Sequence, residues 1–261
     1  MSDTVLYALD DTIATITLNR PARMNALTPT LFDAWQAALD KADRDGAKAI
    51  VLTGAGPTFC AGADLQGGDG PADILGPNLA EPLETHYNAL ARRLMVLPVP
   101  VVSAINGPAV GAGMGFALAA DLSVMARSAY LMLAFVKIGL VPDAGSTWLV
   151  TRSIGRAKAM ELALLGEQVF AEEALSLGLV NRVVEDDAVL EEAVRLARQL
   201  AAGPSVAIGH IRRQINSAMD LDFEQTLTLE AGNQAKAGAT ADFMEALTAF
   251  AQKRPPAFKG K

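Results

Sequence analysis

An acid set into an apolar run is the side chain in this sequence best placed to move a proton. Asp143 lies in AFVKIGLVPDAGSTWL, residues 134–149, behind Phe135, Val136, Ile138 and Pro142. A carboxylate held partly out of water has a raised pKa and can exchange protons near neutrality. The same residue could instead cap a helix running through Thr147 to Val150. A second chemistry is written in backbone. Ala61, Gly62, Ala63 and Asp64 make one small-residue turn, and Gly111, Ala112 and Gly113 make another where a helix should begin. Small side chains let a ligand reach the peptide N–H groups, and two such donors aimed at one carbonyl oxygen would stabilise an oxyanion. Tight turns and close helix packing use the same residue types. Asp64 and Asp121 also fall beside strand ends, where α/β folds place ligands, although acids there commonly cap turns.

Other chemistries find less support. The run Gly111 to Gly115 is spaced G-x-G-x-G, and Asp121 follows too soon for the ribose contact of a dinucleotide fingerprint. His86 and His210 sit on helix-like segments without partners and read as surface or packing residues. No G-x-S-x-G elbow, H-E-x-x-H or cysteine cluster occurs, so neither a serine hydrolase nor a metal site is expected. Cys60, between Phe59 and Ala61, reads as a small buried residue.

The elements that must carry these groups alternate. Val5–Leu9 and Thr12–Leu18 form a hairpin pattern about Asp10 and Asp11. Thr28-Pro29 is an N-cap with proline at the first helical position, and Leu31, Trp35 and Leu39 continue at helical spacing. Lys48–Thr53 is a buried strand that runs into the loop 54–65. A helix over Leu79–Leu97 precedes a strand over Val99–Ile105, and short strands are expected at Leu122–Ala126 and Ala129–Leu133. From Ile154 the chain is mostly helical, interrupted by Asn181–Val184. Strand, loop and helix in alternation give an α/β class. The Gly-, Asp- and Pro-rich stretch Gln66–Gly76 reads as a loop that could cover a site.

Bulk properties narrow the partners. The chain has 261 residues, 51% hydrophobic and 20% charged, with a formal charge of −7. Its mean hydropathy of +0.25 is apolar for a monomer, which points to buried subunit interfaces. An acidic protein is unsuited to nucleic acid. One cysteine, no basic and apolar leader pattern, and no apolar run of about 18 residues lead us to expect a cytoplasmic protein not inserted in membrane.

Taken in order, Asn19–Leu27 (NRPARMNAL), Leu52–Gly56 with Phe59–Leu65 (FCAGADL), Ile105–Gly115 (INGPAVGAGMG) and Ala120–Leu122 resemble the enoyl-CoA hydratase/isomerase (crotonase) superfamily over essentially the whole chain. The resemblance implies a ββα spiral core over residues 1–200 and a helical trimerisation region over 201–261, in a homotrimer or dimer of trimers. It implies acyl-CoA thioester substrates, no metal or redox cofactor, and an oxyanion hole made by the amides of Ala63 and Ala112, with Ala61, Asp64, Gly111 and Gly113 around the substrate. The two glutamates with which the family's hydratases hold water fall at Gly115 and Phe135, so ordinary hydration is not expected. The family's isomerases place one acid at Asp143, and residues 134–149 are similar to the ring-1,2-epoxyphenylacetyl-CoA isomerases within the superfamily, with Ser146 where glycine is usual. A Δ3,Δ2-enoyl-CoA isomerase is the nearest alternative, thioester hydrolysis and a CoA-binding protein without catalysis the more distant ones. For the polyanionic CoA, the resemblance implies a C-terminal ending that reaches a neighbouring subunit's CoA, through Phe258 and Lys261 of the basic tail here, and Arg23, in the loop after the first hairpin, is the other candidate near the nucleotide.

Overall fold

The computed structural model describes residues 4–66 and 78–261. The loop expected to cover the site therefore lies, except for Gln66, outside the described residues. The hairpin forms as read. β1 (Val5–Asp10) pairs antiparallel with β2 (Ile13–Leu18), with Asp10 opposite Ile13 and Asp11 in the left-handed region at φ 54°. Thr28 caps α1 (Pro29–Arg44) by accepting from the Leu31 N–H, and Leu31, Phe32, Trp35 and Leu39 make its buried face. β3 (Ala49–Gly54) is buried along its whole length.

The segment expected as one helix over 79–97 is subdivided. A short α2 (Ala80–Pro82) leads into a π-helical turn at Leu83–Asn88, and regular α3 (Ala89–Val96) follows. Beyond it come β4 (Val101–Ile105), β5 (Ala109–Val110), α4 (Ala112–Leu118), β6 (Leu122–Ala126) and β7 (Tyr130–Met132). Then follow α5 (Ser146–Leu165), β8 (Gln168–Phe170), α6 (Ala171–Leu177), β9 (Arg182–Val184) and α7 (Val189–Ala201). The chain ends in α8 (Ser205–Ala218), α9 (Phe223–Gly238) and α10 (Ala241–Ala251).

One sheet has the order β1-β2-β3-β4-β6-β9, parallel after the opening hairpin; a second has the order β5-β7-β8. The two-residue β5 and three-residue β8 went unread because strands so short carry no periodicity. The larger sheet is covered by α7 and α1, and an aromatic cluster of Phe32, Trp35, Tyr87 and Phe116 fills the space between α1, the π-helical turn and α4.

The C-terminal helices are anchored by an ion pair rather than by apolar packing alone. Arg212 of α8 is buried, donates to Asp121 at 2.6 Å, and reaches the carbonyls of Leu97 and Leu94 at the end of α3. The Asp121 carboxylate also accepts from the Val101 N–H, at 2.7 Å, and the Asp121 N–H donates to the Val101 carbonyl, at 2.9 Å, so one residue ties α8 to the start of β4. Asp121 is thus an internal fastening and not a ligand group. Removing one member of a buried pair strands the other charge. Asp121→Ala should therefore lower unfolding free energy by about 3 kcal/mol, measured by urea denaturation, whereas Asp121→Asn, which keeps an acceptor for the Val101 N–H, should lose less.

Candidate active site

The strand-like turn Cys60–Asp64 is held from two sides. Leu27 donates to the Gly62 carbonyl at 2.8 Å and accepts from the Asp64 N–H at 3.0 Å. In this parallel bridge the N–H and C=O of Ala63 point the other way. On the far side Cys60 donates to Pro108 at 3.2 Å and accepts from the Val110 N–H at 2.9 Å. Gly62, at φ 85°, lies so close to the next segment that a β-carbon would fall 2.8 Å from the Val110 oxygen. Gly111 then turns the chain at φ 56° into α4, of which Ala112 is the first residue. An N–H at that position has no intrahelical acceptor. Neither the Ala63 nor the Ala112 amide has an acceptor among the described residues, and both residues line one cavity.

The motif NRPARMNAL explains how that turn is supported. Asn25, fully buried, accepts from the Arg20 N–H and donates to the carbonyls of Ala55 and Thr58. Arg20 and Arg23 both hold the buried Asp64 carboxylate, at 3.0 and 2.7 Å. Their charges and hydrogen bonds keep Asp64 below the usual carboxylate range even though burial pushes it upward.

The cavity has a volume of about 420 Å³ and walls that are mostly apolar: Leu79, Leu83, Val110, Phe135, Ile138 and Val141 among them. Asp143 is the one acid among the described residues lining it. Its Oδ1 is buried with no hydrogen-bond partner among the described residues, and burial alone raises its pKa from 3.8 to about 6. It does not cap α5. The residue before that helix is Gly145, with no side-chain cap, and Ser146 donates both its N–H and its hydroxyl to the Asp143 carbonyl, at 2.9 and 2.7 Å. The serine that replaces a usual glycine thus reinforces the turn and leaves the carboxylate free.

The predicted site residues separate into groups. Ala61, Ala63, Gly111, Ala112 and Asp143 meet in this cavity. Asp64 lines an adjoining cavity with Arg23, its carboxylate engaged by two arginines, and one assignment to the substrate needs correction. Gly113 faces away, where a β-carbon would stand 2.4 Å from the Cys60 oxygen, so it serves packing. The adjoining cavity lined by Arg23, of about 350 Å³, shares Ala61, Ala63 and Leu65 with the first. Phe258 and Lys261 line neither cavity within this chain. Instead Lys259 and Gly260 donate their N–H groups to Asp242, and the Lys261 carbonyl accepts from the Asp242 N–H, which folds the tail onto α10. Cys60 is buried, its thiol pushed up to about 12, so it is no nucleophile. Two lining residues were not singled out by sequence: Lys137, exposed at the rim, and Tyr87, which repeats with Leu83, Leu90 and Leu94 at helical spacing and so reads as core.

The absent glutamates are matched by filled space. A β-carbon on Gly115 would lie 3.0 Å from the Ala144 oxygen and 3.2 Å from its Cβ, while Phe135 is itself buried against the cavity. Nothing at either position can hold a water by a carboxylate.

The family model for enoyl-CoA hydratase/isomerase matches residues 9–261. The chain belongs to that family. Among curated relatives it is 43% identical over 264 residues, covering all of both chains, to the 1,2-epoxyphenylacetyl-CoA isomerase of Escherichia coli strain K12. It is equally 43% identical, over 99% of this chain and 98% of the relative, to a probable enoyl-CoA hydratase of Rhodobacter capsulatus. Among solved structures, the enoyl-CoA hydratase of Bacillus anthracis superposes with a TM-score of 0.91 at 31% identity, covering 99% of this chain and all of that one. The protein is therefore an enzyme of the crotonase fold. No helix among its described residues is long and apolar enough to cross a membrane.

The buried Asp143 makes a stability prediction with a defined sign. A carboxylate whose folded pKa is raised loses its proton in the unfolded chain first, so stability falls between pH 3.8 and about 6 and is level above. Asp143→Asn removes that penalty. Thermal denaturation should find the variant more stable than wild type at pH 7, by about 1–3 kcal/mol, with the difference vanishing towards pH 4.

Proposed function

We propose that this protein isomerises an acyl-CoA thioester by enolate chemistry with one acid–base group, and that ring-1,2-epoxyphenylacetyl-CoA is its substrate. The observation that carries the reading is the carboxylate of Asp143, unpaired among the described residues and sharing an apolar cavity with two amides that likewise have no acceptor there. A thioester carbonyl placed between the Ala63 and Ala112 amides gains most when its oxygen becomes an enolate. One such donor is worth about 2.7–4 kcal/mol in transition-state stabilisation. Asp143, near pKa 6, is mostly ionised at pH 7 and can remove a proton from the carbon beside the thioester.

From that enolate the carbon–carbon bond shared by the epoxide and the six-membered ring breaks while both carbon–oxygen bonds stay, which gives the seven-membered oxepin. Asp143 then returns a proton to a ring carbon, so the product has the formula of the substrate. No water is consumed, which agrees with Gly115 and Phe135 at the positions where hydratases carry glutamate. The identity to the Escherichia coli epoxyphenylacetyl-CoA isomerase over the full length supports this acyl group. The nucleotide end of CoA would follow the adjoining cavity past Arg23, whose side chain is about one-third exposed. The active form in this reading is a homotrimer or dimer of trimers. It is supported by the large apolar side chains left exposed on the C-terminal helices, among them Phe223, Met244 and Phe250.

The test is a competition in heavy water between ring-1,2-epoxyphenylacetyl-CoA and a cis-3-enoyl-CoA, followed by mass spectrometry of products and deuterium content. Preferential oxepin formation is the expected result; preferential, deuterium-labelled conversion of the enoyl ester would make the enzyme a Δ3,Δ2-enoyl-CoA isomerase instead. In the same assay, kcat/KM should rise with pH through about 6 and level off, because the base must be ionised. Asp143→Asn should lose at least about a hundredfold in kcat, and wild-type turnover in a folded variant would overturn the single-acid mechanism.

A further inference from the structure

A second polar group in the cavity has no partner. Tyr87 is 4% exposed, lines the same cavity as Asp143, and its hydroxyl is buried without a hydrogen-bond partner among the described residues. A buried phenol normally finds an acceptor, because desolvating it without one is unfavourable. The neighbouring acid does not supply it: Asp143 Oδ1 is equally unpaired, so the two groups do not bond each other. Burial, and then the Asp143 charge, push the phenol's pKa above its ordinary value, so it is a neutral donor at all working pH.

The backbone is arranged to put it there. Tyr87 sits in the π-helical turn Leu83–Asn88, a widened turn of a kind that recurs at functional sites. Its ring is fixed against Phe32 at 4.5 Å between centroids and faces Phe116 at 6.4 Å. The hydroxyl therefore cannot swing to solvent without breaking the aromatic cluster.

We infer that Tyr87 is a specificity residue: its hydroxyl donates a hydrogen bond to an oxygen carried on the acyl group beyond the thioester carbonyl. The inference rests on the acyl-CoA reading above and names what that site selects. The thioester oxygen is taken by the two backbone amides, so the phenol is left for a second oxygen on the substrate. In the proposed ring expansion the epoxide oxygen stays bonded to carbon throughout, so this donor holds it and need not give up its proton. A site built to pair with a substrate oxygen also rejects the analogue that lacks it, because the analogue leaves the buried donor unpaired.

The test uses two unreactive esters of equal shape, 2-methoxyphenylacetyl-CoA and 2-ethylphenylacetyl-CoA, titrated calorimetrically into wild type and Tyr87→Phe. Wild type should bind the methoxy ester about three- to tenfold more tightly, and Tyr87→Phe should bind the two alike while keeping the wild-type affinity for the ethyl ester. A preference that survives in Tyr87→Phe, or none in wild type, would overturn the inference. Asp143→Asn should keep the preference for the methoxy ester, so failure of the proton-transfer mechanism would show in its turnover and not in this titration.

Discussion

Two peptide N–H groups on the cavity wall, those of Ala63 and Ala112, have no acceptor among the described residues, and the turns that carry them are held by their neighbours. A buried backbone donor is ordinarily paired, so the turns carrying Ala63 and Ala112 have to be fixed by every other group they own. Leu27 takes the carbonyl of Gly62 and the amide of Asp64, the residues on either side of Ala63. Cys60 bonds Pro108 and Val110, and Gly111 donates to Met132 at 2.8 Å, which secures the approach to Ala112. Asp64, with Arg20 and Arg23 on its two oxygens, clamps the same turn from behind. The amides are free because their neighbours are not.

The side chains follow a related logic. A carboxylate in an apolar cavity with no compensating donor lowers stability, and that same desolvation sets its pKa near 6. Its neighbour Tyr87 adds a second unpaired group to the same wall. Such groups persist only where the surrounding structure over-determines them. Here the aromatic cluster fixes Tyr87, and the doubly bonded Asp143 carbonyl fixes the backbone beneath the acid.

Much of this was legible in the sequence because the elements carry strong local signals. The Asp10-Asp11 hairpin, the Thr28-Pro29 helix start and the buried strand ending in Thr53 and Gly54 each reflect turn chemistry, capping or apolar runs. The small-residue turns could be located, and the choice between tight turn and oxyanion hole came from family resemblance. What could not be read was direction. Asp64 and Asp143 are both acids beside turns, but one faces two arginines and the other an apolar cavity, a difference made by residues more than 40 positions away in the case of Arg20. Tyr87 stayed hidden because helical spacing shows which face is buried without showing that a hydroxyl on that face lacks an acceptor. The π-helical turn that aims it carries no composition signal.

The position of Asp143 and the absence of a glutamate at Gly115 are one packing fact. The space a side chain on Gly115 would enter is occupied by Ala144, the residue after Asp143, and by Ser146. Ala144 lies in the left-handed region at φ 50° and Gly145 follows at φ 76°, so the chain reverses tightly behind the acid. An alanine in that conformation is disfavoured by about 1 kcal/mol or more. The two bonds from Ser146 to the Asp143 carbonyl help hold it. Any side chain at 115 would press on Ala144 at 3.0–3.2 Å, in the very turn from which Asp143 projects, so the glycine at 115 and the tight PDAGS turn are matched to each other.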